Sequence, residues 1–297
     1  MKKLVECVPN FSEGRRPEVI AEILGAIRET VGVQILDCSS DASHNRSVIT
    51  FLGGPDEVKR AAFQAAARAK DLIDLTAHRG EHPRMGAVDV IPFVPVEGIS
   101  MEECVELARQ LGSEIAAKLD IPVYLYEAAA TRPERKNLAD VRRGEFEGLR
   151  ETIGLEEKMP DFGPARVHPT AGAVAVGARP PLIAYNVNLA TSDLGIAKKI
   201  AKSIRGSSGG YPSIKALGVI LDDRNIAQVS INVCNFREVS LPRVFETVKR
   251  EAERCGVNVT GSEIVGLVPQ EALVDAAEYY LRLENFNKDQ VLENRLK

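Results

Sequence analysis

Residues 75–90, L-T-A-H-R-G-E-H-P-R-M-G-A-V-D-V, gather more reactive side chains than any other short stretch of this chain. Two of its four histidines, His78 and His82, lie there beside Arg79, Glu81 and Arg84. Gly80 and Pro83 forbid a continuous helix, so the stretch reads as a loop between a helical pattern and an apolar strand pattern. Loops held by a rigid scaffold are where reactive groups usually sit. Pro83 restricts the backbone of His82 toward extended conformations, which helps to aim the ring. An imidazole titrates near neutrality and can both take and give a proton. Arg79 and Arg84 can hold carboxylates by paired hydrogen bonds. The bland alternative is a solvated polar turn with incidental histidines. The order H-R-G-E-H, broken by glycine and proline, differs from the helical H-E-x-x-H of zinc sites, and no metal is expected.

Other polar clusters follow predicted strands. Asn10, Ser12 and Glu13 come after the first, where turn formation explains them equally well. Asp37, Asp41, His44, Asn45 and Arg46 come after the second, where a carboxylate could orient an imidazole. Asn186 and Asn188 alternate with Tyr185, Val187 and Leu189 and so share one strand face. Buried asparagines need partners, either a ligand or neighbouring chain. The glycine-rich residues 205–210 lack the lysine and hydroxyl ending of a P-loop, so nucleotide binding is not expected.

The elements that must position these groups can be read from periodicity. Strands are expected at residues 4–8, 31–36, 47–52 and 88–96, with helices at 17–27 and 56–75. Ser39 to Arg46 reads as a polar loop. The order is β-α-β-β-α-β, that of a ferredoxin-like split unit. A helix over 101–119, capped by Ser100, and a strand over 122–126 follow. Residues 131–150 are highly charged and read as a solvated helix and loop. Residues 159–179, rich in Gly and Pro, read as ordered but irregular and as a domain junction. The pattern then restarts: strands at 181–189, 214–221, 226–233 and 257–265, helices at 192–204, 240–255 and 269–283, and a hairpin turn at 222–225. The fold class expected is α+β: two ferredoxin-like α/β subdomains, residues 1–178 and 179–297, with a ligand groove between them.

Composition narrows the function classes. An apolar fraction of 44% and a charged fraction of 27% are those of a soluble globular protein with a sizeable core. A net charge of -4 argues against a nucleic-acid partner. The five scattered cysteines form no C-x-x-C pair and read as reduced thiols in a cytoplasm. Neither a signal peptide nor an apolar run of spanning length is visible, so no membrane partner is expected.

The string H-R-G-E-H-P-R-M-G-A-V-D over residues 78–89 closely resembles the core motif of glutamate formimidoyltransferases, also called formiminotransferases. So do V-E-C-V-P-N-F-S-E-G over 5–14, P-D-F-G-P over 160–164 and V-G-L-V-P over 265–269. The match runs along nearly the whole chain in one register. The resemblance implies two α/β subdomains and transfer of a formimidoyl group between N-formimidoyl-L-glutamate and tetrahydrofolate, in histidine degradation and one-carbon metabolism. His82 matches the family's catalytic histidine. Gly163, Pro164, Ala165, Arg166, Val167, His168, Pro169, Thr170, Ala171 and Gly172 match its folate-binding segment. Asp41, Arg46, Arg84, Asn10, Asn186 and Asn188 are candidates for supporting roles. Relatives carry an acidic residue where this chain has Ser39; Asp41 is a candidate to replace it, and which carboxylate, if any, supports His82 stays open. The resemblance also implies a cytoplasmic homodimer, no cofactor beyond the folate substrate, and, with the chain ending at Lys297, a form without the cyclodeaminase domain of bifunctional members. Two other readings keep the same residues: formyl transfer from N-formylglutamate, since formyl differs from formimidoyl by one polar atom, and a folate-binding protein without turnover.

Overall fold

The computed structural model describes residues 3–221 and 224–295. It is a mixed α+β chain that divides into two units, Met1–Arg179 and Pro180–Lys297. Among the described residues no helix is long and apolar enough to cross a membrane.

The first unit opens with a strand that Pro9 divides, β1 (Leu4–Cys7) and β2 (Asn10–Phe11). Then come α1 (Pro17–Arg28), β3 (Val33–Asp41), β4 (Arg46–Gly53), α2 (Pro55–Leu72), β5 (Val88–Glu97), α3 (Met101–Leu119) and β6 (Val123–Glu127). Two short helices, α4 (Leu138–Val141) and α5 (Glu145–Thr152), precede β7 (Val174–Ala178). The divided strand lies centrally, antiparallel to β4 on one side and β5 on the other, with β3 outside β4. Beyond β5 the sheet continues in parallel through β7 to β6.

Local sequence accounts for the helices. Proline at the first turn starts α1 and α2, where its missing N–H costs no hydrogen bond. Ser100 and Glu103 cap α3 reciprocally. On α2 the side toward the sheet is Ala61, Ala62, Ala65, Ala66 and Ala69, all buried. Such small residues let this helix lie close to the strands. The core between helices and sheet includes Phe11, Ile23, Ile49, Phe51, Ile91, Phe93 and Leu111. The opposite sheet face is partly covered: Val90, Tyr124, Tyr126 and Ala175 pack with Val141, Leu149 and Ile153 of the α4–α5 region.

The second unit has β8 (Ile183–Leu189), α6 (Leu194–Ile204), β9 (Ile214–Leu221), β10 (Ile226–Val233), α7 (Leu241–Arg254), β11 (Val259–Val265) and α8 (Gln270–Leu281). Its antiparallel sheet runs β11-β8-β10-β9. Ile183, Tyr185, Val187 and Leu189 face the helices, which leaves Asn186 and Asn188 on the other face.

Several elements differ from the sequence reading. The second strand reaches Asp41 because Ser39, Ser40 and Asp41 pair with Val48, Ser47 and Arg46, so backbone pairing outweighs their polar side chains. Asn10 and Phe11 form a strand rather than a turn. The stretch read as irregular hides β7, whose five residues are all buried between β5 and β6. The stretch read as a solvated helix and loop holds the buried Arg135, which donates to Asp161 at 2.6 Å and ties this region to β6 through the Leu125 amide on the same carboxylate. α2 stops at Leu72, and Asp193 rather than Ser192 caps α6. A short 3-10 turn, Gly206–Ser208, orders part of the loop read as flexible. Of the expected hairpin turn, Asp222 and Asp223 lie outside the described residues.

Gly172 supports a close approach of two segments. Its φ is +71°, and a Cβ there would fall 2.2 Å from the Met85 carbonyl oxygen. Gly172→Ala is expected to destabilise the chain by about 1–3 kcal/mol, the usual cost of a residue forced into that backbone region. Chemical denaturation measures it, and wild-type stability in the variant would contradict the geometry.

Candidate active site

The site is built on an irregularity in β5. Phe11 pairs with Val88 and Asn10 with Val90, so Asp89 is an extra residue in its strand. Val88 and Ile91 face the helix-side core while Val90 faces the other way. The bulge turns Asp89 to the face away from the helices, fully buried.

The Asp89 carboxylate is satisfied on every side. Its Oδ1 accepts the Met85 amide at 2.9 Å, and its Oδ2 accepts Arg46 Nη1 at 2.8 Å. Arg142 Nη2 lies 2.5 Å from the same Oδ2, outside good hydrogen-bond geometry, and Arg142 Nε has no acceptor. Burial alone would raise the Asp89 pKa, but the two guanidiniums and the amide win and hold it below the usual carboxylate value. Arg46 is further fixed by Asn10, whose Oδ1 accepts Nε at 3.1 Å and Nη2 at 2.9 Å. One carboxylate thus faces two guanidiniums, which leaves an unbalanced positive charge at the centre.

His82 stands in that field. Burial, then Arg46 and Arg142, push its pKa down to about 4, with Asp89 and the Pro83 carbonyl acting weakly the other way. Its Nδ1 lies 2.6 Å from the Pro83 oxygen. A carbonyl oxygen only accepts, so Nδ1 carries the hydrogen and Nε2 keeps its lone pair. At neutral pH the ring is therefore an uncharged base with one free nitrogen.

The loop carrying His82 is braced from three directions. Asn45, in the left-handed region at φ 48°, accepts the Gly14 amide at 2.9 Å and donates to the Arg79 carbonyl at 3.0 Å. Its own carbonyl oxygen accepts from His78 Nε2 at 2.9 Å, and His78 Nδ1 accepts from Arg84 Nε at 3.2 Å. His78 is therefore a buried brace with both nitrogens engaged. Gly80 passes so near this turn that a Cβ would fall 2.2 Å from the His44 carbonyl oxygen. Ser12 holds the far end through Oγ to the Gly86 carbonyl at 2.7 Å. Glu13 instead caps the amides of Arg15 and Arg16.

Arg84 does not offer its guanidinium to an outside anion. It is buried against Glu147, at 2.7 and 2.6 Å, and Glu145, at 3.1 Å. The hydrogen bond from Arg84 lowers the Glu147 pKa to about 2. A cleft of about 450 Å³ lies beside this cluster, lined by His78, Arg79, Gly80, Arg84, Gly144, Glu145 and Glu147. Asp41 accepts the His44 amide at 2.7 Å and lies 3.1 Å from His44 Nδ1, so its partner is His44 and not His82.

Residues 163–172 meet the same loop. The Ala87 amide donates to the Ala171 carbonyl and the Ala173 amide to the Met85 carbonyl, both at 2.9 Å. His168 and Gly172 close a tight turn by exchanging backbone bonds, and His168 Nδ1 accepts the Ala171 amide at 3.0 Å. Arg166 pairs at the surface with Asp120, and Thr170 receives the Leu75 amide through its carbonyl. Gly163, Pro164, Ala165, Val167 and Pro169 complete the segment, mostly accessible to solvent.

In the second unit Asn186 donates to Glu263 at 3.1 Å, and Gln228 donates to Asn188 at 2.9 Å and to Glu263 at 3.0 Å. Both asparagines are thus satisfied by neighbouring strands. Among the described residues no three His, Cys, Asp or Glu side chains are grouped to hold a metal ion.

Sequence reasoning missed Asp89 and Arg142. Asp89 closes the motif of residues 78–89, yet the alternation that would place it is broken by the bulge. Arg142 was hidden among alternating charges. The one available signal was that a lone acid inside an apolar strand needs a buried cation.

A neutral imidazole with a free nitrogen, beside a centre of excess positive charge, is able to exchange a proton and to attract an anion. The N-terminal subdomain of the formiminotransferase domain matches residues 4–179, and the formiminotransferase domain matches residues 184–295. A glutamate formimidoyltransferase of Streptococcus pyogenes is 56% identical over 100% of this chain and 99% of its own. One of Thermoplasma acidophilum is 50% identical, over 99% of this chain and 97% of its own. A formimidoyltransferase-cyclodeaminase of Mus musculus is 45% identical over 100% of this chain and 57% of its own. Among solved structures, a microcompartments protein from Desulfitobacterium hafniense aligns over 92% of this chain and 98% of its own, at 8% identity and a TM-score of 0.24, too slight a likeness to bear on the fold. The chain belongs to the formiminotransferase family.

The electrostatics of the site yield a direct test. The His82 ring is expected to titrate near pH 4, well below the ordinary value of about 6.5. Arg142→Met, which removes one of the two opposing guanidiniums, is expected to raise it. Nuclear magnetic resonance titration of labelled imidazole reads both, and an ordinary midpoint in the wild type would refute the account.

Proposed function

We propose that the chain transfers a formimidoyl group between N-formimidoyl-L-glutamate and tetrahydrofolate, giving 5-formimidoyltetrahydrofolate and L-glutamate, with His82 moving the proton. The observation that carries the transfer is full-length identity of 56% to a glutamate formimidoyltransferase, with both family domains in register.

The reaction is an exchange of amines on an amidine carbon. The folate nitrogen attacks the formimidoyl carbon and must lose its proton. The glutamate nitrogen must gain one as its bond to that carbon breaks. His82 Nε2 takes the first proton, and the imidazolium so formed can supply the second. The centre of Arg46, Arg142 and Asp89 attracts the carboxylates of the anionic substrates. Residues 163–172 contact the folate, with their backbone bonds to residues 85–87 fixing it relative to His82. The folate brings its own reactive nitrogen, so no further cofactor is required. The place of this chemistry is histidine breakdown in the cytoplasm, and the working form is a homodimer. Sedimentation at micromolar concentration tests the dimer, and a monomer there would reject it.

The central test mixes purified protein and tetrahydrofolate with either formimidoylglutamate or formylglutamate. Turnover is expected with the first, at the higher kcat/KM. A preference for formylglutamate would reassign the group, and folate binding without turnover would leave a binding protein. His82→Ala is expected to lower kcat by roughly 10²–10⁴-fold with little change in folate affinity, because its part is played in the transition state. His82→Gln should not restore the rate, since an amide does not titrate near neutrality. His78→Ala is the control, with lost stability and a milder loss of rate. An active His82→Ala enzyme would remove His82 from the mechanism.

A further inference from the structure

The turn between β3 and β4 carries a histidine that the mechanism above does not use. His44 stands next to His82, with ring centroids 6.2 Å apart and planes at 63°. Its side chain remains 47% exposed, open to a small ligand. Asp41 Oδ1 accepts the His44 amide at 2.7 Å, and His44 Nδ1 lies 3.1 Å from the same oxygen. A carboxylate only accepts, so a hydrogen on His44 Nδ1 suits this approach and leaves Nε2 for a ligand.

Each ring thus sets Nδ1 near an oxygen, a neutral carbonyl for His82 and a carboxylate for His44. His82 leans on a neutral carbonyl oxygen and faces Arg46 of β4 and Arg142 after α4, with Asp89 of β5 as the opposing charge. A positive charge on that ring is disfavoured. His44 leans on a carboxylate, which balances an imidazolium charge. That contact in turn helps to hold the Asp41 carboxyl below its usual range, chiefly through the His44 amide. The other charged residues packed on this turn are Arg15, whose Nε donates to the Ala42 carbonyl at 2.7 Å, and Glu81, whose amide donates to the Ser43 carbonyl at 3.3 Å. Adjacent imidazoles, one beside guanidiniums and one beside a carboxylate, can divide the parts of acid and base between them.

We infer that His44, held by Asp41, is a second proton-transfer group of the active site and, in place of the His82 imidazolium, protonates the departing glutamate nitrogen while His82 deprotonates the attacking one. The inference rests on the formimidoyl-transfer reading. The two nitrogens share one carbon, so groups on adjacent rings can serve them in the same intermediate. The balance closes in each cycle. His82 Nε2 gains the proton of the folate nitrogen, His44 Nε2 gives one to the glutamate nitrogen as the carbon–nitrogen bond breaks, and solvent returns the proton from His82 to His44.

The test measures kcat and KM against pH for the wild type, His44→Ala, Asp41→Asn and His82→Ala. The wild type is expected to lose rate at low pH, as the base protonates, and at high pH, as the acid deprotonates. His44→Ala should lower kcat about 10²-fold with KM little changed, abolish the basic limb, and recover part of its rate with added imidazole. Asp41→Asn should lower kcat less than His44→Ala does, with KM little changed, since the carboxylate beside the ring is gone. His82→Ala should lose the acidic limb instead. His44 is half exposed, and an unchanged melting temperature confirms that its variant folds. A wild type without turnover overturns this inference together with the reading beneath it. An active wild type with His44→Ala unchanged in kcat and in both limbs, or altered in KM alone, overturns this inference only.

Discussion

The arrangement around the candidate site depends on burying one carboxylate. Asp89 is fully enclosed, and an isolated charge there would cost several kcal/mol or more. It is tolerated because a backbone amide and two guanidiniums converge on it. Those two guanidiniums come from distant parts of the chain, Arg46 at the start of β4 and Arg142 just after α4. The ion pairs therefore tie the open face of the sheet to the segment that covers it. Removal of one partner would leave uncompensated charge in the interior, which costs more than the pair contributes. The same constraint sets the field in which His82 stands.

Holding His82 in that field needs a stiff loop, and the stiffness is distributed. Asn45 engages the chain before α1 and two points of the loop, using side chain and carbonyl together. His78 passes the restraint to Arg84, and Arg84 passes it to the start of α5 through Glu145 and Glu147. The arginine that looks most available in the linear motif is thus consumed as structure. Arg46, which looks like one of several polar residues in a turn, carries the charge. Residue type and spacing suggest which groups could act, but the hydrogen-bond accounting decides which remain free to do so.

Much of the scaffold was legible because it is local. Alternating or helical apolar patterns with proline starts and a capping box define most strands and helices of both units. The loop of residues 75–90 stood out because glycine, proline and histidine are informative at short range. What escaped was non-local. β7 is five residues amid glycine and proline, and it is a strand only because β5 and β6 flank it. The polar end of β3 is a strand only because β4 supplies its partners. The bulge that aims Asp89 is a mismatch of register between Asn10–Phe11 and β5, invisible in either strand alone. Arg135 and Arg142 were submerged in a charged stretch whose default is solvation, and the acids that bury them, Asp161 and Asp89, lie at long range.

A base whose pKa is depressed to about 4 is weaker than ordinary imidazole, yet the depression has a use. It keeps the ring unprotonated through the whole neutral range, so nearly every molecule carries a lone pair. Burial and guanidinium charge cause the depression, and the charge is the part a ligand can change. A carboxylate arriving near Arg46 and Arg142 offsets their field at His82, because opposite charges at short range in a poorly solvated site interact strongly. An anion bound there would make the ring a stronger base. Attraction of an anion and strengthening of the imidazole as a base would then be one event with one cause: the second guanidinium that Asp89 leaves unbalanced.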